Sequence, residues 1–146
     1  MGKSTDIRVG QLHLDKSRIN ELDRQIDNLF RNKKTFLQPN YTLTRLAKDI
    51  NAPLHHISAF LNHYYGIHFN EFINKYRISY CIATITEEEL KHKKIETIAK
   101  ESGFSNRNTF RIAFKKVTGM TPSKYLKDKT TDGSQTTKYD REAGKG

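Results

Sequence analysis

Apolar positions recur in two stretches of the chain, in the same order and about 52 residues apart. The first stretch contains Leu46-Ala47, Ile57, Leu61, Gly66, Phe69 and Phe72. The second contains Ile98-Ala99, Phe110, Phe114, Gly119, Pro122 and Tyr125. The offset is 52 at the first pair and 53 at every later position, so the second copy has one more residue in a turn. Each copy predicts a short helix, a turn, and a second helix with apolar residues four apart that a glycine ends. The pattern indicates an all-α fold built on two helix-turn-helix units, which in a basic chain is typical of DNA binding.

A further amphipathic helix is predicted ahead of the first copy. Its apolar positions lie at helical spacing over residues 17–31, with Ser17 as the N-cap, and they are Ile19, Leu22, Ile26, Leu29 and Phe30. Pro39 interrupts any helix that would run on into the first copy. We therefore divide the chain into an N-terminal linker or helix over 1–40, a double helix-turn-helix over 41–128, and a tail over 129–146. The tail has no apolar period and is expected to be disordered.

Capping residues indicate where the helices of the two copies begin and end. In the first copy, Thr42 or Thr44 is expected to cap the first helix, Pro53 to open the second, and Gly66 to end it. In the second copy, Ser105 is expected to cap a helix that runs through Lys116. Thr121 is expected to cap a last short helix, with Pro122 at its first position and with Tyr125 and Leu126 packing back.

A long helix is predicted between the two copies, from Asn70 to about Thr86. Its 17 residues would span roughly 25 Å, enough to separate two small units. The charged stretch that follows, residues 87–94, is interpreted as a connector that can include one helical turn. Cys81 lies inside the long helix, where its apolar neighbours favour a packing role over a reactive one.

Composition narrows the class of partner. Lys and Arg exceed Asp and Glu by 26 to 16, and the net charge of +10 includes +6 on residues 41–128. Such a balance favours a polyanionic partner, although a solvated lysine-rich surface explains the charge alone equally well. The single cysteine excludes an intramolecular disulfide and a Cys-rich zinc site. Without a signal peptide or an apolar run near 18 residues, a cytoplasmic location without membrane contact is expected.

No motif in the chain predicts an enzyme, a cofactor or a metal site. Glycine-rich phosphate loops, nucleophile elbows and paired acids are missing from the sequence. Four histidines form a loose cluster, namely His55, His56, His63 and His68. Their spacing does not give the usual i,i+3 or i,i+4 metal pair, and no cysteine or carboxylate completes a site.

The second copy carries the most specific string in the chain. Its elements are Gly103-Phe104-Ser105, Phe110, Phe114-Lys115-Lys116, Gly119, Thr121-Pro122-Ser123 and Tyr125. With Leu43, Leu46-Ala47, Gly66, Phe69, Arg77 and Ile98-Ala99, this string resembles the C-terminal DNA-binding domain of AraC/XylS-type transcription regulators. The resemblance covers about residues 41–127. Residues 70–74 and 119–123 are similar to the version common in Bacteroidetes-type bacteria.

The resemblance implies a transcription regulator that binds double-stranded DNA without catalysis or cofactor. Its two helix-turn-helix units would enter successive major-groove segments, which recur about 34 Å apart on one face of the duplex. RNA polymerase is a second candidate partner. The first 40 residues are too short for the ligand-sensing domain usual in this family, so no small-molecule inducer is expected to bind this segment.

The candidate DNA contacts lie opposite the apolar stripe of each second helix. In the first copy they are Leu54, His55, Ser58, Ala59 and Asn62. In the second they are Ser105, Asn106, Arg107, Asn108, Thr109, Arg111, Lys115 and Lys116, with Ile112 at the margin. Arginine can bind guanine through two hydrogen bonds and asparagine can bind adenine in the same way, whereas the lysines are expected to contact phosphates.

Two departures from the family pattern affect the first copy most. The family often places an arginine where this chain has Ala59 and Ile112, and a capping serine where it has Pro53. The first copy is therefore expected to bind mainly the DNA backbone. The main alternative is a helical module that docks on RNA polymerase or another regulator without reading bases. A structure-selective RNA binder is less favoured, because no aromatic stacking platform is evident.

Overall fold

The computed structural model describes residues 6–131, and it begins with a β-hairpin that the sequence analysis did not predict. Strand β1 (Ile7–Val9) pairs antiparallel with β2 (Leu12–Leu14), so that Ile7 lies opposite Leu14. Both of these side chains are buried. Strands of three residues are too short to establish an alternating pattern, which is why the hairpin escapes a search for periodicity.

Four helical segments follow in the first half of the chain. They are α1 (Lys16–Lys33), a 3₁₀ turn (Thr35–Leu37), α2 (Leu43–Ile50) and α3 (Leu54–Phe60), and α3 continues as a π-helical turn (Leu61–Tyr65). The prediction of Ser17 as the cap of α1 was wrong. Asp15 caps it, because its carboxylate accepts a hydrogen bond of 2.8 Å from the Arg18 amide.

Five helices make up the rest of the described chain. They are α4 (Phe69–Thr84), α5 (Glu87–His92), α6 (Ile95–Glu101), α7 (Arg107–Thr118) and α8 (Pro122–Thr131). Within residues 6–131, no helix combines the length and the apolar character needed to cross a membrane.

Capping side chains explain where these boundaries differ from the predicted ones. Helix α4 ends two residues before Thr86, because the Thr86 hydroxyl accepts a bond of 3.1 Å from the Glu89 amide and so begins α5. Helix α7 is capped by Asn106 and not by Ser105. Helix α8 includes residues 129–131, for which disorder was predicted, while the rest of the predicted tail lies outside the described residues.

The chain divides into two compact units. The first unit contains the described residues up to Thr35 and then Tyr41–Phe72, and the second contains Phe36–Asn40 and the chain from Ile73 onward. Helix α4 therefore begins in the first unit and ends in the second. The boundary that we drew after residue 40 does not separate compact units, since the chain enters the second unit at Phe36 and returns at Tyr41.

The core of the first unit includes residues of the N-terminal segment that was predicted to be a linker or helix. Its largest fully buried side chains are Leu14, Ile19, Leu22, Ile26, Phe30, Leu46, Ile57, Phe60 and Leu61. The ring of Phe30 lies 6.2 Å from Tyr41 and 6.1 Å from Phe72, which joins α1 to the helix-turn-helix. The Tyr65 hydroxyl also donates to Asp23 on α1. The N-terminal helix is thus part of the scaffold of the first unit.

The core of the second unit is formed by α4, α6, α7 and α8. Its buried members are Ile78, Cys81, Ile82, Ile98, Ala99, Phe104, Phe110, Ala113, Phe114 and Tyr125. Four aromatic rings contact one another in sequence, with centroid distances of 5.4 Å (Phe104–Phe110), 5.6 Å (Phe110–Phe114) and 5.3 Å (Phe114–Tyr125). These contacts fix the inner face of α7, as the apolar stripe predicted. Cys81 is buried among these side chains, in agreement with the predicted packing role.

A buried arginine on α4 joins three segments of the second unit. The Arg77 guanidinium donates hydrogen bonds of 2.6 Å to the Phe36 carbonyl and 3.0 Å to the Gln38 carbonyl. It also lies 5.5 Å from the centre of the Phe104 ring. Burial lowers the pKa of Arg77 to about 10, so the side chain stays charged at neutral pH. The carbonyls and the aromatic face replace the water that this charge loses.

Gly103 is the residue that lets these segments approach one another. Its backbone has a φ of 96°, in the left-handed region. A Cβ atom built on it would lie 2.8 Å from the Phe36 carbonyl oxygen and 2.8 Å from Nε of Arg77. Gly119 also has a positive φ, of 82°, but a Cβ there would meet nothing within 4 Å. A side chain at position 103 would therefore meet both backbone strain and steric overlap, whereas one at position 119 would meet backbone strain alone.

We expect Gly103→Ala to destabilise the chain more than Gly119→Ala. The left-handed conformation should cost about 1–2 kcal/mol in either variant, and the overlap should add about 1–3 kcal/mol at position 103 only. Thermal and urea unfolding of both variants would measure the difference. Equal losses would show that the turn can relax away from Phe36.

Truncating the buried aromatic side chains of α7 should destabilise the second unit. Phe110→Ala and Phe114→Ala should each lower the free energy of unfolding of the second unit by about 3–5 kcal/mol, because both rings are buried. Ile112→Ala is the matched control on the same helix, since its exposed side chain should change stability by less than about 0.5 kcal/mol. Unchanged thermal midpoints for both phenylalanine variants would contradict the assigned inner face.

Candidate nucleic-acid interface

In the second unit, α6 and α7 form a helix-turn-helix whose turn is held by local hydrogen bonds. The Ser102 hydroxyl donates 2.9 Å back to the Ile98 carbonyl, and the Phe104 amide donates 2.9 Å to the Ala99 carbonyl. The buried Phe104 ring then holds the turn against the core. Helix α7 leaves this turn with its aromatic face inward and its polar face toward solvent.

The outer face of α7 is basic and open. Its exposed polar side chains are Arg107, Asn108, Thr109, Arg111, Lys115 and Lys116. The helix contains no acidic residue. Among residues 6–131, no carboxylate forms an ion pair with Arg107, Arg111 or Lys115. These charges are therefore available to an anionic partner.

Two of the candidate contacts also have structural roles at the start of α7. The Asn106 side chain accepts a hydrogen bond of 2.8 Å from the Thr109 amide and caps the helix. The Ser105 hydroxyl donates 3.1 Å to the side-chain oxygen of Asn40. Both residues are exposed, so contact with DNA stays a prediction for each of them.

Ile112 lies within the exposed face of α7, whereas the sequence analysis had placed it at the margin. Its side chain is 63% exposed. It follows Asn108 by four positions and precedes Lys115 by three, so the three residues share one face of the helix. The burial of Ala113 beside Phe110 and Phe114 explains the difference, because it moves the inner face and with it the centre of the outer face.

In the first unit, α2 and α3 form the equivalent pair of helices. The Thr42 hydroxyl caps α2 by accepting 3.1 Å from the Arg45 amide, which confirms one of the two predicted caps. Pro53 was predicted to be the first residue of α3, but it is the extended residue just before that helix and provides no side-chain cap. Gly66 ends the following π-helical turn in a left-handed conformation, as predicted.

The candidate contacts on α3 differ in their exposure. Leu54, His55 and Asn62 are exposed, and Ser58 is half-buried. Ala59 was predicted to face outward, and this was wrong, since it is only 8% exposed. Helix α3 packs against α1, α2 and both strands of the hairpin, which leaves a narrow solvent-facing arc. An arginine at position 59 would have to displace part of this packing.

The electrostatics of α3 also differ from those of α7. Helix α3 contains no lysine or arginine. Burial, followed by the nearby charges of His55 and Arg18, lowers the pKa of His56. This histidine is therefore mainly neutral near pH 7 and adds little positive charge to the helix.

A shallow cavity of about 330 Å³, with both apolar and polar residues in its lining, lies beside α3 and includes residues that the sequence analysis missed. Its polar lining consists of Thr42, Ser58, Asn62, His68 and Asn70. Ser58 and Asn62 were candidates, whereas Thr42, His68 and Asn70 were not. The missed residues lie at or next to the starts of α2 and α4, where helix amides attract anions. Their helix-start positions are the sequence signal that could have identified them.

The histidine cluster does not form a metal site. Among the described residues, no group of three or more His, Cys, Asp or Glu side chains is placed to hold a metal ion. His55 and His56 contact each other with ring centroids 4.8 Å apart.

Comparison with known proteins identifies the same region of the chain. A family model described as a helix-turn-helix domain matches residues 46–128. The TCP pilus virulence regulatory protein of Vibrio cholerae is 41% identical over 61 residues, which are 42% of this chain and 21% of that protein. The chain thus spans about a fifth of the length of the curated relatives that it matches.

Solved structures share the fold. The C-terminal domain of AraT, a response regulator from Geobacillus stearothermophilus, aligns with a TM-score of 0.56 and 27% identity, over 75% of this chain and 84% of that one. ToxT from Vibrio cholerae aligns with a TM-score of 0.54 and 28% identity, over 70% of this chain and 36% of that one. Since the family model covers more than half of the chain, from within α2 into α8, the chain belongs to the AraC-type helix-turn-helix family of DNA-binding transcription regulators.

Proposed function

We propose that this domain binds duplex DNA sequence-specifically as the output module of a transcription regulator, and that α7 is its main base reader. The observation that carries the proposal is the outer face of α7, which has four cationic residues, no acidic residue and an exposed asparagine. A single α-helix fits the major groove, where base edges present distinct donors and acceptors.

The residues of α7 divide into two chemical groups. Arg107 and Asn108 lie in the first turn of the helix, the part that contacts base edges in helix-turn-helix proteins. Arginine binds guanine and asparagine binds adenine through paired hydrogen bonds. Lys115 and Lys116 lie in the last turn and suit phosphate contacts, which position the helix without reading sequence.

The first unit has a smaller part in this proposal. Helix α3 offers His55, Asn62 and the half-buried Ser58, and no lysine or arginine. The polar residues of the cavity beside it suit a phosphate oxygen better than a base edge, because they lie next to helix N-termini. We infer that α3 contributes mainly backbone contacts. Binding of two successive major-groove segments stays a prediction from the family resemblance.

The location of the domain, its mode of action and its further partners follow from the same proposal. A domain that binds chromosomal DNA works in the bacterial cytoplasm, and it acts through binding alone, without catalysis or cofactor. RNA polymerase is the candidate second partner, since a bound regulator alters transcription through contacts with the polymerase or by blocking it. An inducer would bind outside this segment.

Affinity for DNA should depend strongly on salt. If six to eight phosphates are contacted, the logarithm of the association constant should fall against the logarithm of salt concentration with a slope of about −5 to −7. Fluorescence anisotropy with a labelled duplex would measure it. A slope near zero would contradict DNA binding and favour a protein-docking module.

If α7 reads bases, variants of its base-contacting residues should lose specificity, whereas variants of its phosphate-contacting residues should not. With a site selected from random duplexes, Arg107→Ala and Asn108→Ala should each lower affinity for that site by about 1–3 kcal/mol more than affinity for random DNA. Lys116→Ala should weaken both by a similar factor, because a phosphate contact is independent of sequence. The measurement is the ratio of the two dissociation constants for each variant.

The outcome that contradicts the assignment is equally specific. If Arg107→Ala and Asn108→Ala both leave the ratio of specific to non-specific affinity unchanged, α7 is not the reader. Base reading would then move to α3 and its exposed His55.

A further inference from the structure

The geometry points to Ile112 as a specificity residue that recognises the 5-methyl group of a thymine in the major groove. This inference rests on the proposed function and assigns a base to a residue that has no hydrogen-bonding group. A solitary exposed apolar side chain is ordinary on a protein surface. Three further observations make this one informative.

The first observation is its position among charges. Ile112 shares its face of α7 with Asn108 and Lys115, and Arg111 and Lys116 flank it. A face of this kind is drawn toward the phosphate backbone of DNA, so its central side chain meets the floor of the groove between the strands. Among the edges that bases present there, the thymine methyl is the apolar one.

The second observation is where exposed apolar side chains occur. Among the described residues, the large hydrophobic side chains that are exposed are Val9, Leu54 and Ile112. Ile112 is the most exposed of the three, at 63%, and two of the three lie on the second helices of the two helix-turn-helix units. An apolar side chain that is exposed on a predicted reading face is consistent with a ligand that covers it on binding.

The third observation comes from the internal repeat. At the offset of 53, Ile112 is the equivalent of Ala59. Ala59 is 8% exposed, whereas Ile112 is 63% exposed. The same repeat position is thus closed in the first unit and open in the second. A methyl-reading group is therefore available on α7 and not at the matching place on α3.

The test removes the methyl group from the DNA and the side chain from the protein. The full chain is first used to select its preferred site from random duplexes. Each thymine of that site is then replaced singly by deoxyuridine, which lacks only the 5-methyl group and keeps the same base pairing. Affinities are measured for the unaltered chain, for Ile112→Ala and for Lys115→Ala.

For the unaltered chain, deoxyuridine at one or two positions should weaken binding about fourfold. This factor corresponds to about 0.8 kcal/mol per buried methyl-sized group, at about 1.4 kcal/mol per tenfold change. Ile112→Ala should bind the thymine site more weakly and should lose the sensitivity at those positions. Lys115→Ala should bind more weakly but keep the sensitivity, because its contact is with phosphate. The thermal midpoint of Ile112→Ala checks that it is folded.

Several results would overturn the inference. Selective binding with no loss at any deoxyuridine, or a selected site without thymine, would show that Ile112 reads no methyl group. A loss that persists in Ile112→Ala would assign the methyl contact to another residue. If the unaltered chain shows no selective retention of any duplex, the proposed function fails with it, and that result is distinguishable from selective binding without methyl dependence.

Discussion

The second unit depends on one buried charge. Arg77 on α4 binds the carbonyls of Phe36 and Gln38, and it covers the ring of Phe104 in the helix-turn-helix turn. Asn40, two residues beyond Gln38, accepts a hydrogen bond from Ser105 just before α7. A guanidinium in this place must be fully compensated, since an unpaired buried charge is strongly destabilising. The same segment, residues 36–40, thus both binds the buried charge and contacts Ser105 just before the reading helix.

The two copies of the repeat keep the same inner positions and differ at the outer ones. Ile57 and Phe110 are buried at equivalent places, as are Leu61 and Phe114. At the outer position the pair is Ala59 and Ile112, one buried and one exposed. The hairpin and α1 pack against α3 and restrict its open surface. A repeated scaffold can therefore carry two recognition helices of unequal capacity, because the inner faces match while the outer positions differ in exposure.

The inner faces could be predicted from the sequence because a stripe of large apolar residues at helical spacing determines burial. Asp15 and Asn106 were missed as caps because serines stand close by at positions 17 and 105, and composition does not rank adjacent candidates. The burial of Ala59 could not be predicted from the helical periodicity of α3, a helix that also packs against α1 and the hairpin, which lie far from it in sequence. Ile112 was placed at the margin because a small residue, Ala113, contributes to the inner face without standing out in the stripe.

The charged and the neutral residues of α7 act over different distances and therefore contribute differently to DNA binding. The long-range attraction of the cations acts over about one Debye length and draws in any duplex, so it contributes affinity and salt dependence without choosing a sequence. Asn108 and Ile112 are neutral and act only at contact, so they gain free energy on a matching base and little elsewhere. Because both neutral residues lie among the cations of one face, attraction by the lysines and arginines brings them within reach of the base edges. The selectivity that these two neutral residues add carries no salt dependence, so it is separable by experiment from the attraction that precedes it.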